Sequence, residues 1–383
     1  MICRPSKLSG TIHVPPSKSD GQRAVLAAGL AKGVSTIVGL GKSADERQML
    51  KNIQNFGASF EENDREIRIT GTTEFPKSGE YNFGESGLGF RLSAGQCAVH
   101  GGEFILHAEG TLTGRPMDFY QEQFQGSGLE VKGTKAPLQF SGYSQKRKFT
   151  IDGSGGSQFL SGLLMALPLQ EGDSVLQVDN LKSTPYIDMT MQTLQSFGVE
   201  VTQNNYAHFH MSGGQKYKPT NYSVESDWSS ASCWLALAAL GQDLLISGLS
   251  MKSFQADKAM LQALMNAGCK IDISDEGIRI DGRNRQPFQF DANDCPDLFP
   301  ALAVVAALTP GKTAIKGLNR LAIKESDRGV ALKAELEKMG VPTELDQSSD
   351  TMFIEGQSKI SGGTFDAHND HRIAMFLGAL STL

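Results

Sequence analysis

Residues 11–33 read T-I-H-V-P-P-S-K-S-D-G-Q-R-A-V-L-A-A-G-L-A-K-G, and the succession of residue types in this stretch decides the fold. The run T-I-H-V predicts a strand, and P-P-S-K-S-D predicts a polar turn. Small and apolar residues from Ala24 to Ala31 then predict a buried helix that is stopped at Gly33. The stretch therefore predicts a strand and an interior helix joined by a polar turn.

This stretch opens a module that is repeated along the chain. The strand S-T-I-V-G-L, an amphipathic helix from Asp45, and the strands A-S-F-E-E and E-I-R-I-T-G complete a unit of roughly seventy residues. Further apolar helices are predicted up to Val99 and over 159–167, 231–240, 301–308 and 373–380. Further amphipathic helices are predicted from Arg115-Pro116, over 185–197, and from the charged segment I-K-E-S-D-R at 323–328.

The chain is too long for one ordinary core, since it has 383 residues. Six modules divide naturally into two groups of three. We therefore expect an α/β (α+β) fold of two globular domains, each built of three βαβαββ modules with buried helices. The sixth module is incomplete, because residues 369–383 supply only its turn and apolar helix. For that reason we expect the natural polypeptide to continue for roughly half a module.

Composition excludes several classes of partner. A net charge of −6 argues against nucleic acid and anionic membranes, because proteins bind these through basic fields. No apolar run is long enough to span a bilayer, and the first residues show no secretory signal. Five cysteines without C-x-x-C spacing indicate reduced thiols in the cytoplasm rather than disulfides or a zinc site: Cys3, Cys97, Cys233, Cys269 and Cys295.

Charge is densest in I-K-E-S-D-R, where four charged groups of both signs occupy five positions. Apolar residues follow at helical spacing, which predicts that this cluster begins an amphipathic helix. Glu325 and Asp327 suit the positive end of a helix dipole, whereas Lys324 and Arg328 do not. The cluster is either a set of solvated salt bridges or part of an anion site.

Short polar residues precede the apolar helices, and Ser, Asp and Asn at such positions commonly serve as N-caps. They are Ser17, Lys18 and Ser19; Glu85 and Ser86; Ser157 and Gln158; Ser229 and Ser230; Asp297; and Asn369 and Asp370. Ser229 and Ser230, in the fourth module, are interpreted as caps only. For the other turns we also consider an anion site, because helix N-termini and Arg side chains bind phosphate and carboxylate. Seven cations would converge if the modules pack side by side: Lys18, Arg23, Arg91, Arg115, Lys324, Arg328 and Arg372.

Two carboxylates, Asp297 and Glu325, lie among these cations in the sequence. They are either helix caps or a general acid and base, since proton transfer requires carboxylates in an enclosed, cation-rich place. The chain has no Ser-His-Asp order and no phosphate-loop or dinucleotide-binding glycine motif. The sequence therefore favours acid–base chemistry on a polyanionic ligand.

Seven strings occur in an order that resembles the 5-enolpyruvylshikimate-3-phosphate synthase family. They are P-S-K-S-D-G-Q-R, G-E-S-G-L-G-F-R, G-R-P-M, S-Q-F-L-S-G-L-L-M-A-L-P-L, P-Y-I-D, I-K-E-S-D-R and N-D-H-R. The resemblance covers essentially the whole chain. It implies transfer of the enolpyruvyl group of phosphoenolpyruvate to the 5-hydroxyl of shikimate 3-phosphate, with release of phosphate and with no metal or organic cofactor.

The resemblance also implies domain bounds. Because the family chain crosses twice between its domains, residues 1–16 with 226–383 would form the C-terminal domain. Residues 17–225 would form the inserted N-terminal domain, with the active site in the cleft between the two. The resemblance implies a cytoplasmic monomer whose partners are its two small substrates, without nucleic acid or membrane.

Residue roles carry over position by position. The implied catalytic residues are Asp297, which takes the proton of the attacking hydroxyl, Glu325, which manages the proton at the methylene carbon, and Lys18. The implied shikimate 3-phosphate set is Lys18, Ser19, Arg23, Ser157, Gln158, Ser183, Tyr186, Asp297 and Lys324. The implied phosphoenolpyruvate set is Lys18, Gly87, Arg115, Gln158, Arg328 and Arg372.

The chain departs from the family pattern at Glu85, Leu88, Gly156 and Arg320. Of these, Glu85 would repel phosphoenolpyruvate unless Arg91 or another cation pairs with it. The missing half module would also supply a family lysine for the phosphate of phosphoenolpyruvate. Two other functions stay open: enolpyruvyl transfer to a UDP-amino sugar, whose enzymes have K-N near the start and a loop cysteine absent here, and non-catalytic binding of a phosphometabolite.

Overall fold

The repeated module folds into five four-stranded sheets among residues 2, 4–72, 74–322 and 324–383, which the computed structural model describes. Cys3 of the cysteine set and Ile323 of the I-K-E-S-D-R segment lie outside the described residues. The mixed α/β architecture predicted from the repeat is confirmed.

The first three modules contribute the elements that follow, in chain order. The first comprises β1 (Ser9–His13), α1 (Lys18–Leu30), β2 (Gly33–Val38), α2 (Ala44–Asn55), β3 (Ser59–Glu62) and β4 (Glu66–Gly71). The second comprises β5 (Ser78–Asn82), α3 (Gly87–His100), β6 (Gly102–His107), α4 (Phe119–Phe124), β7 (Leu129–Lys132) and β8 (Leu138–Gly142). The third comprises β9 (Lys148–Asp152), α5 (Gln158–Ala166), β10 (Ser174–Asp179), α6 (Thr184–Ser196), β11 (Thr202–Asn204) and β12 (His208–Met211).

The remaining elements repeat this order. The fourth module comprises β13 (Asn221–Ser223), α7 (Trp228–Ala239), β14 (Asp243–Ser247), α8 (Met260–Asn266), β15 (Lys270–Ser274) and β16 (Gly277–Asp281). The fifth comprises β17 (Gln289–Asp291), α9 (Phe299–Ala307), β18 (Gly311–Lys316), α10 (Arg328–Lys338), β19 (Thr343–Asp346) and β20 (Thr351–Gly356). The sixth contributes α11 (His371–Leu380), which packs against α7 and α9.

The sheets share one topology, in which a parallel strand pair continues into an antiparallel hairpin. The order β5-β6-β8-β7 is typical, with β5 parallel to β6 and β8 antiparallel to β6 and β7. A parallel pair needs a long crossover, and α3 supplies it here. The apolar helices pack on one another, as α3 does on α5 and α7 on α9, and α1, α3, α7 and α9 also cover strands of their own modules.

The first strand does not join the sheet of its own module. β1 pairs in parallel with β14, from Ser9 opposite Asp243 to His13 opposite Ser247. β13 instead pairs in parallel with β2, so the sheet of the first module is completed from Asn221–Ser223. The module repeat therefore gives the order of the elements but not the sheet that the first strand joins.

Contacts divide the chain into two compact units. Unit 1 comprises residues 1–15 and 226–383, and unit 2 comprises residues 16–225. Within unit 2, α3 and α5 approach at glycines, since a Cβ added to Gly95 would lie 2.5 Å from the carbonyl carbon of Gly162. Such an approach is available only to residues without a side chain. Among the described residues, no helix combines the length and the apolar character needed to cross a membrane.

One predicted helix start was wrong. The helix predicted from Arg115-Pro116 begins at Phe119, and Arg115 has an extended backbone (φ −78°, ψ 142°). A residue before proline is kept out of the helical region by the proline ring. The helix predicted to begin within I-K-E-S-D-R is confirmed: it begins at Arg328, and the Asp327 side chain caps it by accepting a hydrogen bond from the Val330 N–H.

Candidate active site

In unit 1, a single buried guanidinium binds three carboxylates. Arg328 is 1% exposed. Its Nε donates to Asp370 Oδ2 at 2.8 Å, Nη1 donates to Asp297 Oδ1 at 2.8 Å, and Nη2 donates to Glu325 Oε2 at 2.5 Å. Charge-assisted bonds of this kind fix the guanidinium plane. The I-K-E-S-D-R segment is therefore part of a buried network and not a set of solvated salt bridges.

Asp297 is the carboxylate of this network that is surrounded by several cations. Lys324 Nζ donates to its Oδ1 at 3.0 Å, and Arg372 Nη2 lies 3.2 Å from its Oδ2. Burial alone would raise the pKa of Asp297, but the charges of Arg372 and its two cationic neighbours outweigh burial and hold that pKa well below its usual range. Burial likewise lowers the pKa of Lys324, with Asp297 opposing this shift. Asp297 is thus an ionised carboxylate enclosed by cations.

Three turns at helix starts hold these side chains. Asp297 lies in the 3-10 turn Pro296–Leu298 just before α9, while Lys324 and Glu325 precede α10. Asp370 caps α11 by accepting a hydrogen bond from the Arg372 N–H at 2.9 Å. Its carboxylate has two functions, because it also binds Arg328. The structure therefore brings five of the proposed functional residues of unit 1 together: Asp297, Lys324, Glu325, Arg328 and Arg372.

The capping interpretation holds for some turns and fails for others. Ser17, Ser86, Asp227 and Asp370 accept hydrogen bonds from helix N–H groups and are caps. In the fourth module the cap is Asp227 rather than Ser229 or Ser230. Ser157 lies at the N-cap of α5 but its side chain makes no capping hydrogen bond, and the N-cap of α9 is Leu298 and not Asp297. Capping therefore does not account for either residue.

In unit 2, Arg23 is as buried as Arg328 but binds neutral groups. It is 1% exposed. Its Nε donates to Thr190 Oγ1 at 2.8 Å, and its Nη1 donates to the carbonyl of Ser19 at 2.8 Å. The Nη2 atom donates to the carbonyl of Tyr186 at 3.3 Å. Burial lowers the pKa of Arg23 to about 10, with the nearby Asp20 charge opposing the shift. Arg23 thus joins two of its predicted neighbours, Ser19 and Tyr186.

A second group in unit 2 surrounds the start of α3. A Cβ added to Gly87 would lie 3.1 Å from Nη1 of Arg91 and 3.1 Å from Nη1 of Arg115. Arg91 also donates to Gln158 Oε1 at 2.7 Å and lies over the Phe159 ring. Two guanidinium groups and free helix N–H groups favour an anion at this position. The structure therefore brings Gly87, Arg115 and Gln158 together through Arg91.

Three other predicted residues occupy separate positions in unit 2. Lys18, at the first position of α1, forms an ion pair with Asp45 at 2.8 Å. Ser157 and Ser183 are both buried. Ser183 precedes α6 with a left-handed backbone (φ 59°, ψ 43°), which is unfavourable for a serine and often marks a functional position.

The four departures from the family pattern have distinct environments. The Glu85 carboxylate is exposed and accepts a hydrogen bond from the Thr111 N–H at 3.2 Å. Gly156 has φ 114°, a backbone conformation that would strain a serine. Leu88 is buried in the first turn of α3. Burial lowers the pKa of Arg320, and the Asp294 charge opposes this shift.

Several carboxylates at these sites were missed by the sequence analysis as ligands of cations. Asp370 was considered only as a cap, and Asp45, the partner of Lys18, was considered only as the start of an amphipathic helix. Asp257 is buried near Asp297. Burial, and to a lesser extent the Asp297 charge, raises the pKa of Asp257 to about 6. For Asp370 the signal was its position two residues before Arg372; the sequence offers no comparable signal for Asp257.

Comparisons with known proteins agree along the whole chain. The family model for EPSP synthase (3-phosphoshikimate 1-carboxyvinyltransferase) matches residues 2–382. The 3-phosphoshikimate 1-carboxyvinyltransferase of Clostridium kluyveri is 34% identical over 99% of this chain and 89% of its own length. That of Clostridium acetobutylicum is 36% identical over 98% of this chain and 88% of its own length. The structure of EPSP synthase from Acinetobacter baumannii has a TM-score of 0.79, is 25% identical, and is matched over 100% of this chain and 91% of that chain.

Proposed function

The chain belongs to the EPSP synthase (3-phosphoshikimate 1-carboxyvinyltransferase) family, and on this premise we propose how its charged residues perform the reaction of that family. The reaction transfers the enolpyruvyl group of phosphoenolpyruvate to the 5-hydroxyl of shikimate 3-phosphate and releases phosphate. Family membership does not favour a UDP-amino sugar as acceptor, nor binding without turnover. The observation that carries the residue assignment is the enclosure of Asp297 by Lys324, Arg328 and Arg372.

In unit 1 we assign the proton transfers to Asp297 and Glu325. Asp297 takes the proton of the 5-hydroxyl as the oxygen attacks C2 of phosphoenolpyruvate, while Glu325 delivers a proton to the methylene carbon. The tetrahedral intermediate then returns a proton from that carbon to Glu325 as the C–O bond to phosphate breaks, and Asp297 passes its proton to the departing phosphate. Arg328 and Arg372 bind the carboxylate of phosphoenolpyruvate, and Lys324 binds the phosphate of the acceptor.

The low pKa of Asp297 is itself part of this proposal. A carboxylate enclosed by three cations is ionised but is a weak base. When the phosphate and carboxylate groups of the substrates bind Lys324, Arg328 and Arg372, they neutralise these charges. The pKa of Asp297 then rises toward the value that a general base requires. Each ligand thus increases the basicity of Asp297, and the increase is largest when both are bound.

In unit 2 we assign the remaining binding roles. Arg23 and Ser19 bind the shikimate carboxylate, and Ser157 and Ser183 bind the acceptor phosphate. Lys18, Gly87 and Arg115 bind the phosphate of phosphoenolpyruvate, with Lys18 also taking part in catalysis. Gln158 and Tyr186 line the ring, and Gln158 also contacts phosphoenolpyruvate. The hydrogen bond from Arg91 to Gln158 and the two arginines beside Gly87 support an anion at that position.

The assignment requires groups of both units to act on the same pair of substrates. We propose that residues 1–16 with 226–383, and residues 17–225, act as two domains, and that substrate binding brings their active-site groups onto one substrate pair. We further propose a cytoplasmic monomer that does not bind nucleic acid, which the net charge of −6 and the scattered cysteines support.

The test is an assay of phosphate release with the protein and defined substrates. Phosphate and the enolpyruvyl product should appear in equal amounts with phosphoenolpyruvate and shikimate 3-phosphate together. Neither substrate alone should release phosphate, and a UDP-amino sugar should not replace the acceptor. Binding of both substrates without phosphate release would contradict the proposed activity.

A further inference from the structure

The turn that leads into α11 has an unfavourable backbone. His368 and Asn369 are consecutive residues with φ of 51° and 52°, in the left-handed region. Side chains make this region costly, by about 1–2 kcal/mol per residue, although asparagine and histidine enter it more often than most residues. Such a turn persists only when the surrounding structure holds it. The next residue, Asp370, binds Arg328, and Arg372 follows two positions later.

A buried carboxylate on α10 holds this turn. The side chain of Glu335 is 0% exposed. Its Oε2 accepts a hydrogen bond from the Asp366 N–H at 3.1 Å, and its Oε1 lies 2.8 Å from His368 Nε2. Lys338 Nζ donates to the same Oε1 at 2.8 Å. Glu335 therefore accepts from the Asp366 N–H and contacts both His368 and Lys338.

Two further hydrogen bonds are internal to the turn. The His368 N–H donates to Asp366 Oδ1 at 2.8 Å, and the Asp370 N–H donates to the Ala367 carbonyl at 2.8 Å. These bonds set the local shape of the turn but do not fix it to its neighbours. Glu335 binds the turn at two consecutive points, the Asp366 backbone and the His368 ring.

Helix α10 therefore contacts the turn at two levels. Arg328, at the start of the helix, binds Asp370, while Glu335, seven residues later, binds the residues just before it. Seven residues are two helical turns, so both side chains lie on the same face of α10. Together, the two contacts hold Asp370 beside Arg328.

We propose that Glu335 and His368 are positioning residues that hold Asp370 against Arg328, and Arg372 beside it, so that the two arginines have the geometry needed to bind the carboxylate of phosphoenolpyruvate. This inference rests on the proposed function, in which Arg328 and Arg372 bind that carboxylate. Neither Glu335 nor His368 touches a substrate; each acts through the backbone of the turn. Charged groups must be held within a fraction of an ångström, since a displacement of 1 Å can cost up to about 10²-fold in rate.

The test compares Glu335→Gln and His368→Ala with wild type in steady-state kinetics. A glutamine side chain has one acceptor oxygen, so it cannot accept from Lys338 and His368 and also replace Oε2 as the acceptor of the Asp366 N–H. The turn then loses its backbone anchor. We expect the KM for phosphoenolpyruvate to rise about 10-fold in both variants, while the KM for shikimate 3-phosphate changes less than about twofold. His368→Gln should recover most of the loss, because its amide N–H can still donate to Glu335. His368 is partly exposed, so its variants test the inference even if Glu335→Gln folds poorly.

Glu337→Gln is the matched control. Glu337 lies on the same helix in a partly exposed ion pair with Lys333, away from the turn. It should leave both KM values unchanged. Arg372→Ala separates the positioning role from the proposed function, because it should raise the KM for phosphoenolpyruvate if the proposed function is right. A rise with Arg372→Ala but none with Glu335→Gln and His368→Ala would overturn the positioning role alone; no rise with Arg372→Ala would overturn both.

Discussion

Arg328 in unit 1 and Arg23 in unit 2 are equally buried but differ in what compensates their charge. Arg328 binds three carboxylates, Asp297, Glu325 and Asp370. Arg23 binds hydroxyl and carbonyl oxygens, and among the described residues no carboxylate lies within ion-pair distance of it. A buried cation without a counterion is energetically unfavourable, as the lowered pKa of Arg23 reflects.

This difference indicates different tasks for the two arginines. No carboxylate of the described residues pairs directly with Arg23, and in the proposed function the acceptor carboxylate supplies such a partner on binding. The site around Arg328 is already compensated, so an incoming carboxylate changes the balance of an existing network rather than completing it. In the proposed function, that exchange relates substrate binding to the basicity of Asp297.

The largest expected effect is on catalysis at the compensated site. Asp297→Asn should lower kcat by roughly 10²–10⁴-fold, because it removes a general base, while shikimate 3-phosphate should still bind. Asp275→Asn, at an exposed turn residue, should behave as wild type and is the control. Near-normal turnover of Asp297→Asn would show that the residue only compensates the cations.

The two arginines should differ in their effect on stability. Arg328→Met leaves three carboxylates facing one another and should lower the free energy of unfolding by about 3–5 kcal/mol. Arg23→Met should cost only about 1–3 kcal/mol. Ser161 Oγ and Thr190 Oγ1 already share a hydrogen bond of 2.8 Å, so the neutral partners of Arg23 keep a partner. Urea unfolding at neutral pH measures both, and equal losses would remove the distinction between the sites.

The cost of Arg328→Met should also depend on pH. Burial tends to raise the pKa of Asp370, but Arg328 outweighs it and lowers that pKa. A carboxylate with a lowered pKa adds stability above its unfolded value of about 3.9, and this contribution is lost as pH falls through the folded value. The difference between wild type and variant should therefore be largest at neutral pH and shrink below about pH 4. A gap that does not vary with pH would contradict this electrostatic origin.

Unit 2 should show the opposite sign at Asp20. Burial raises the pKa of Asp20 from 3.8 to about 6, although Tyr222 and the Glu225 N–H donate to it. Its contribution to stability is therefore fully present below about pH 4 and is lost as pH rises through 6. Relative to Asp20→Asn, wild type should lose about 1–3 kcal/mol between pH 4 and pH 7. Parallel stability curves for the two proteins would show that Asp20 does not titrate in this range.

The smallest effect is expected at Glu85, near the start of α3. Its exposed carboxylate binds the Thr111 N–H and adds negative charge near the proposed phosphate position at Gly87. Exposed charges contribute at most about 1 kcal/mol, so Glu85→Asn should lower the KM for phosphoenolpyruvate by up to about fivefold. The effect should decrease with added salt. An increase in that KM would assign Glu85 a favourable role.

Local patterns in the sequence predicted the repeated modules and most of their helices. Apolar spacing, polar turns and terminal glycines are local features, which explains why the helix of residues 24–31 and the capped start at Asp370 could be read directly. The pairing of β1 with β14 could not be derived in this way, since Ser9 and Asp243 are far apart in the chain. Only the family resemblance grouped the first strand with residues 226–383.

The candidate site was predicted in its cations more fully than in its carboxylates. A cation at a helix start is unfavourable, so Lys324 and Arg328 indicated an anion site. An acid at the same position is typical of an N-cap. Asp370 is a cap and also a ligand of Arg328, and only the folded arrangement reveals the second role. Glu335 was missed because its sequence position suggests an ordinary helical residue.

The central claim is that this chain catalyses addition and elimination, with Asp297 and Glu325 transferring the protons. The most direct measurement is turnover in deuterium oxide, with the product methylene examined by nuclear magnetic resonance. Protonation of that carbon forms a methyl group, which then loses one of its three hydrogens, so the product should carry solvent deuterium. In Glu325→Gln, product formation and deuterium incorporation should fall together. Wild-type turnover to a product without deuterium at the methylene carbon would contradict the account.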